Sequence, residues 1–313
     1  MNSEPMLPSL TAKELANGAS NSLFAEKTWV GSPMPWALDA EQVGLLEMLG
    51  RASLSFYKGI DLLYRKSWSG QSILRNRSFF APWVAEYYDL GKPEWLIEHS
   101  RSASQRNCFP AVLRPDLLPT AEGISLVEWD SVPGGIGMTA QLEELYAISK
   151  EGRMINSFGN ALAFAAEAWG GREARMVIAV SEESETYRPE MEWLAEKLRQ
   201  RAFDIDVCSP NELKIRKNEL CLGEKRVHLV YRFWELFDFE KVPLMRDLAK
   251  LVESGNLVVS PPMKHIQEEK LSLALFHHFR LQSFWEETME RKELELLRKM
   301  IPRTWILDPA KLP

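Results

Sequence analysis

From Asp39 onward, apolar side chains recur three and four residues apart, so that Leu45, Leu46, Leu49, Phe56, Ile60 and Leu63 share one face of a helix running to about Tyr64. Asp39 stands where an N-cap acceptor belongs. Gly59 lies inside this run and is the point where the helix would break. Two shorter helical patterns follow at 79–88 and 93–104. The period then changes. Residues 114–120 and 124–130 read as two extended runs around the turn signal Thr120-Ala121-Glu122-Gly123, which predicts a β-hairpin.

Helical spacing returns at 139–149 and 156–169; the second of these is very apolar across 161–166, predicting burial, and Gly170-Gly171 ends it. Residues 175–180 form a continuous apolar run of the kind covered on both faces of a sheet. A helix at 189–201 and a second strand at 203–207 follow. Strand, helix and strand in that order imply a parallel crossover. A small charged hairpin at 213–227, a strand at 228–232 ending in Arg232, a helix at 243–253 and a strand at 256–260 continue the series. Pro261-Pro262 breaks the chain before a last helix at 264–278. The expected fold class is mixed α/β: an open α/β sheet, a hairpin, and an N-terminal helical region.

The hairpin concentrates charge on a regular frame. Residues two apart on a strand share a face, so Arg114, Asp116 and Leu118 line up, as do Ile124, Leu126, Glu128 and Asp130. With the turn centred near Glu122, Asp116 falls opposite Glu128 and Arg114 opposite Asp130. Two carboxylates directly across a ladder repel. Arg114 supplies one compensating charge, and a hard divalent cation such as Mg²⁺, held by carboxylates and phosphate oxygens, would supply the rest. Plain solvation of the carboxylates is the simpler alternative. The glycine-rich loop 133–137 after the second strand is either an anion nest of backbone N–H groups or a sharp turn.

Composition narrows the functional classes. Hydrophobic residues make up 45% and charged residues 26% of 313, enough for a sizeable core. The formal charge of -6 argues against a binder of nucleic-acid backbones. Three scattered cysteines suit neither a disulfide framework nor a zinc site and are read as reduced, mostly buried thiols. No leader and no apolar run of about eighteen residues is present, predicting a cytoplasmic protein away from membranes. Val180 is followed by Ser-Glu-Glu-Ser, too acidic for a phosphate cradle. The expected divisions are an extended arm at 1–38, a helical region at 39–172 carrying the hairpin at 110–137, an α/β domain at 173–260, and a further segment at 261–313.

Arg114-x-Asp116, a turn, and Glu128-x-Asp130 together resemble the metal and nucleotide motif of the circularly permuted ATP-grasp ligases, typified by glutathionylspermidine synthase. The resemblance implies Asp116, Glu128 and Asp130 as Mg²⁺ ligands and Arg114 as a phosphate or acyl-phosphate contact. The later segment 260–276 is similar to that family's Asn-Pro-x-x-Lys...Asn-Lys stretch, which implies Lys270, and less directly Lys264, as nucleotide contacts. Lys270 beside Glu268 and Glu269 also fits an ordinary solvated helix surface. Asp130 stands where the family has Asn, which retains an oxygen ligand.

The implied activity is ATP- and Mg²⁺-dependent amide formation, with a small-molecule or peptide carboxylate activated as an acyl phosphate and captured by an amine. The implied fold is ATP-grasp-like, with 173–260 as a pre-ATP-grasp-like domain and 261–313 as the start of an ATP-grasp subdomain. The family's second nucleotide lysine and glycine-containing lid have no counterpart in this sequence, so the chain reads as a fragment or a shortened member. Two other classes remain open: a catalytically silent nucleotide-binding or interaction module, and a metal-dependent nucleotide-sugar transferase using Glu128-Trp-Asp130. No Ser-His-Asp or Cys-His set is apparent, and oligomeric state is not indicated.

Overall fold

The computed structural model describes residues 23, 32–121, 123–149 and 151–307. Most of the expected arm at 1–38, Glu122 at the hairpin turn, and residues 308–313 lie outside the described residues.

Helix α1 (Ala40–Trp68) begins with a reciprocal capping box: the Gln42 N–H donates to Asp39 Oδ1 at 2.8 Å, and the Asp39 N–H donates to Gln42 Oε1 at 3.0 Å. It continues through Gly59 without a break. The glycine answers a close approach instead, since a Cβ there would lie 2.7 Å from the ring of Trp285. Gly59→Ala should therefore destabilise the protein. Overpacking at about 1–3 kcal/mol outweighs the roughly 0.5–1 kcal/mol gained from helix propensity, and a lower urea midpoint would register the difference.

Helices α2 (Pro82–Asp89) and α3 (Glu94–Arg101) precede the hairpin of β1 (Arg114–Thr120) and β2 (Gly123–Asp130). Next come α4 (Ile136–Leu145), α5 (Arg153–Ala165), β3 (Met176–Val180), α6 (Arg188–Arg199) and β4 (Ile205–Cys208). The expected small hairpin is a three-stranded antiparallel sheet of β5 (Leu213–Arg216), β6 (Glu219–Leu222) and β7 (Lys225–Val227). Then follow β8 (Leu229–Phe233), α7 (Met245–Glu253) and β9 (Val258–Ser260).

The last expected helix is shorter than its pattern: α8 (Leu271–His277) starts seven residues late, after a single 3₁₀ turn at His265–Gln267. Lys264 is drawn inward by the buried Asp61 and His265 by the partly buried Asp89, and a regular helix from 264 would not permit both. Helices α9 (Gln282–Thr288) and α10 (Arg291–Met300) complete the described chain.

The main sheet has the order β4-β3-β8-β9, parallel throughout, as the crossover pattern predicts. Every residue of β3 and β8 is buried, which explains why β3 reads as an unbroken rather than alternating apolar run. Arg232 in β8 is fully buried and donates to the carbonyls of Trp234 and Pro261 at 2.6 and 2.9 Å. It ties strand ends together rather than facing a ligand.

The chain forms two compact units, neither continuous in sequence. One comprises Met1–Leu38, Val132–Trp234 and Glu240–Pro261 and holds the parallel sheet; the other comprises Asp39–Ser131, Glu235–Phe239 and Pro262–Pro313 and holds the hairpin. These units interleave segments that the sequence-based divisions at 172 and 260 separate. Amphipathicity is the reason: Phe276, Trp285 and Leu297, from the late helices, share a core with Leu49, Phe56 and Trp129. Helices α4 and α5 belong instead with the sheet unit.

Candidate functional site

The hairpin is seated on α1 by its tryptophan. Trp129 stacks on Phe56 with ring centroids 4.4 Å apart, Phe56 stacks in turn on Trp285 at 5.4 Å, and the Trp129 Nε1–H donates to Ser53 Oγ at 2.9 Å. This anchor sets the strand's orientation. Cross-strand partners are Arg114 with Asp130 and Asp116 with Glu128, the pairing the turn position predicts.

One detail departs from the simple alternation. The register shifts by one residue beyond Asp116–Glu128, so that Leu117 faces Leu126 and Val127 is the extra residue of a bulge. Leu126 and Trp129 consequently both reach the core, three apart instead of two. Ile124, Leu126, Glu128 and Asp130 therefore do not form one continuous face. Glu128 and Asp130 stay together on the accessible side, opposite Trp129.

Each carboxylate of that face has a cation beside it. Arg114 Nε donates to Asp116 Oδ1 at 3.1 Å, and its Nη2 donates to Asp130 Oδ2 at 2.9 Å. Lys270 Nζ lies 2.9 Å from Glu128 Oε2. Lys270, immediately ahead of α8, is thus brought to the hairpin across more than a hundred residues of sequence, while its side chain remains 66% exposed. Pairs this open contribute little stability, about 0–1 kcal/mol each, and can exchange partners at small cost.

Among the described residues no three His, Cys, Asp or Glu side chains form a group that could hold a metal ion. Asp116, Glu128 and Asp130 share the face but do not converge on one point. Beside Glu128 and Lys270 a recess reaches down to Phe56, Tyr57 and Ile266, with a cavity volume of about 20 Å³. That is room for roughly one water molecule, not for a nucleotide. Burial, with Glu268 adding to it, pushes the Tyr57 hydroxyl well above the usual phenol range, so it remains a hydrogen-bond donor, given to the Gln267 carbonyl at 3.2 Å.

Lys264 departs from the expected nucleotide contact. It is 0% exposed, ion-paired to Asp61, and donates to the carbonyls of Gln105 and Cys108 at 3.1 and 3.3 Å. An ammonium has three N–H donors, and all are used here. The loop 133–137 likewise resolves as a packing turn. Gly135 takes φ 85°, a Cβ on Gly134 would lie 2.4 Å from the Tyr187 ring, and the Gly137 N–H already donates to the Glu190 carboxylate at 2.9 Å. A carboxylate occupies the place an external anion would need.

The sequence pattern did not reveal a buried polar network in the hairpin unit. Ser100 Oγ and His265 Nδ1 are 2.9 Å apart, and His265 Nε2 lies 3.0 Å from Asp89 Oδ1. The Tyr64 hydroxyl also donates to Asp89, at 2.6 Å, and Arg101 pairs with its other oxygen. Burial alone would raise the Asp89 carboxyl, but the hydrogen bonds from His265 and Tyr64, with the Arg101 charge, outweigh it and hold Asp89 below the usual carboxylate range. Ser100 is 6% and His265 1% exposed, so the set acts as an internal strut, not an accessible nucleophile. Its members are scattered over residues 64–265, and no local motif could have flagged them.

The three cysteines are free thiols, Cys208 and Cys221 buried and Cys108 half-buried. Burial, with Glu212 adding to it, pushes Cys208 up to about 12. No helix among the described residues is long and apolar enough to cross a membrane.

No protein-family model matches this chain, and no curated protein matches it in sequence. Among solved structures it is similar to a glutathione synthetase-like effector from Globodera pallida in its apo form, with a TM-score of 0.49 and 14% sequence identity. The match covers 86% of this chain and 62% of that one, so the chain spans less than two thirds of the solved protein's length.

Proposed function

We propose that the accessible hairpin face receives the phosphate end of a magnesium nucleotide, and that the protein is an ATP-dependent carboxylate–amine ligase of the circularly permuted ATP-grasp type. The observation that carries this reading is the arrival of Lys270 at Glu128 beside the Arg114–Asp116–Asp130 cluster. Two cations and three carboxylates then share one exposed patch, drawn from β1, β2 and the residue ahead of α8.

The donor set suits a hard cation in its chemistry, being all carboxylate oxygen and accessible, although the side chains do not converge without a ligand. Asp116, Glu128 and Asp130 would hold Mg²⁺. When bound, the ion would neutralise charge on the phosphate oxygens. Arg114 and Lys270 would leave their carboxylates for those oxygens, an exchange of partners that keeps every charge compensated. In that position they would orient the γ-phosphoryl group for attack by an oxygen of a small-molecule or peptide carboxylate, with ADP leaving. An amine would then attack the carbonyl carbon of the acyl phosphate and displace inorganic phosphate, giving the amide. A general base is not required of the face.

Thermal denaturation with MgATP, with ATP in EDTA, and with a sugar nucleotide and Mn²⁺ tests this. MgATP at about 100 times Kd should stabilise the native protein by about 2.7 kcal/mol, and the shift should vanish in Asp116→Asn/Glu128→Gln. Equal stabilisation of both proteins by MgATP would remove the assignment. A response confined to the sugar nucleotide would move the protein to the transferase class.

A second reading, a catalytically silent binding module, is favoured by the internal use of Lys264, which leaves Lys270 and Arg114 as the cations of the assigned set that remain accessible. Binding of MgATP without any hydrolysis or acyl-phosphate formation across a panel of carboxylates and amines would decide for it.

A further inference from the structure

The hairpin unit has a second recess whose chemistry differs from that of the hairpin face. A groove of about 680 Å³ lies beside the C-terminal end of α8, within the range of about 300–1,000 Å³ typical of small-ligand sites. Its walls are aromatic. The rings of Trp83 and His278 have centroids 4.7 Å apart, and His278 stacks on Phe279 at 5.0 Å with an interplanar angle of 23°. Phe279 and Trp305 are 80% and 67% exposed, an unusual state for large aromatic side chains in one groove.

Among the described residues the charge of the groove is one-sided: Arg280 and Arg303 line it, and no described Asp or Glu does. Arg280 lies over the Phe79 ring at 5.3 Å and Arg303 over the Trp305 ring at 5.7 Å; neither has a carboxylate partner among the described residues. In a protein with a formal charge of -6, two such guanidinium groups beside stacked rings form a local exception. Burial, with the Arg280 charge adding to it, lowers the pKa of His278, so its ring is neutral near pH 7 and available for stacking. The indole N–H of Trp83 is buried without an acceptor, leaving one wall with an unmet donor.

We infer that this groove is a binding site for a small planar aromatic anion, its ring stacked among His278, Phe279 and Trp305 and its negative group held by Arg280 and Arg303. Stacking surface and guanidinium forks are the two features such a ligand requires, and among the described residues no lining carboxylate opposes it by repulsion. The site requires no metal and does not rest on the ligase reading. A nucleoside phosphate and an aromatic carboxylate share this chemistry.

Isothermal titration at pH 7 in EDTA, with adenosine 5′-monophosphate, adenosine and 2-naphthoate as probes, distinguishes the sources. At least one of the two anions should bind at one per chain, and adenosine at least tenfold more weakly than adenosine 5′-monophosphate wherever that anion is the ligand. Arg280→Ala/Arg303→Ala alters two exposed side chains, should leave the circular dichroism spectrum unchanged, and should weaken the anion at least tenfold. Asp116→Asn/Glu128→Gln should bind it as the native protein does, separating this groove from the hairpin face. Binding of neither anion at concentrations up to about 1 mM would overturn the assignment. So would full retention in the double arginine variant, equal binding of adenosine and its monophosphate where the monophosphate binds, or loss in the hairpin variant.

Discussion

Lys264→Ala should lower the free energy of unfolding by about 3–5 kcal/mol, seen as a urea midpoint shifted downward with little change in slope. The lysine is wholly buried, and its ammonium connects three parts of the hairpin unit: Asp61 in α1, the Gln105 carbonyl, and the Cys108 carbonyl. Removing it strips a buried carboxylate of one partner and leaves two carbonyls without this donor. Asp61 retains Arg65 Nε at 3.0 Å, which keeps the loss below that of an unpaired buried ion. Gln267 Nε2 also reaches Cys108 O, at 2.9 Å, and softens the loss there. The result separates two roles for one residue. A strut lysine costs stability with or without nucleotide, whereas a nucleotide contact would leave the apo midpoint unchanged and reduce only the shift given by MgATP. Lys264→Met with Asp61→Leu should recover much of the loss, because a buried ion pair replaced by apolar side chains of similar volume is often neutral.

Elements with strong periodicity were legible from the sequence because burial alone sets their pattern. The α1 stripe, the N-cap at Asp39, the unbroken apolar run of β3 and the parallel crossover all follow from local rules, and the structure has each of them. The hairpin register was legible too, since a turn position fixes which residues face one another. Its bulge was not. Val127 is as good a strand residue as its neighbours, and only the need to bury both Leu126 and Trp129 reveals the extra residue.

Long-range charge pairing was legible only in part. That Lys270 approaches the hairpin was suggested by resemblance, not by any spacing within the chain, and its partner Glu128 lies on the other side of the sheet-unit segment in sequence. Lys264 was the less direct candidate of the two, yet residue type alone could not set it apart. The difference lies in two carboxylates, the buried Asp61 and the partly buried Asp89, that pull 264 and 265 inward and delay α8 to Leu271. Burial of a charge is a property of the assembled unit, which is why the sequence left Lys264 among the candidates.

Asp89→Asn should produce the second large effect, and its pH dependence identifies the cause. Asp89 accepts from Tyr64, His265 and Arg101 at once, from α1, the 3₁₀ turn and α3, so its carboxylate holds together segments that α1 alone would not bring into register. Its pKa in the folded protein lies below the usual carboxylate value, so its contribution is complete above about pH 4 and is lost as the pH falls through the lowered folded value. At pH 7 the asparagine variant should be less stable by about 2–4 kcal/mol, since the amide keeps one acceptor oxygen but places an NH₂ against the Arg101 guanidinium. The gap between native and variant, followed by urea unfolding, should hold constant from pH 7 to about 5 and narrow below about pH 4, where Asp89 of the unfolded chain takes up a proton that the folded carboxylate, with its lowered pKa, does not. A gap that stayed constant to pH 3 would mean that the carboxylate charge contributes nothing and that packing alone accounts for the loss. A gap that widened on acidification would assign the opposite sign to the shift and remove Asp89 as the centre of the network.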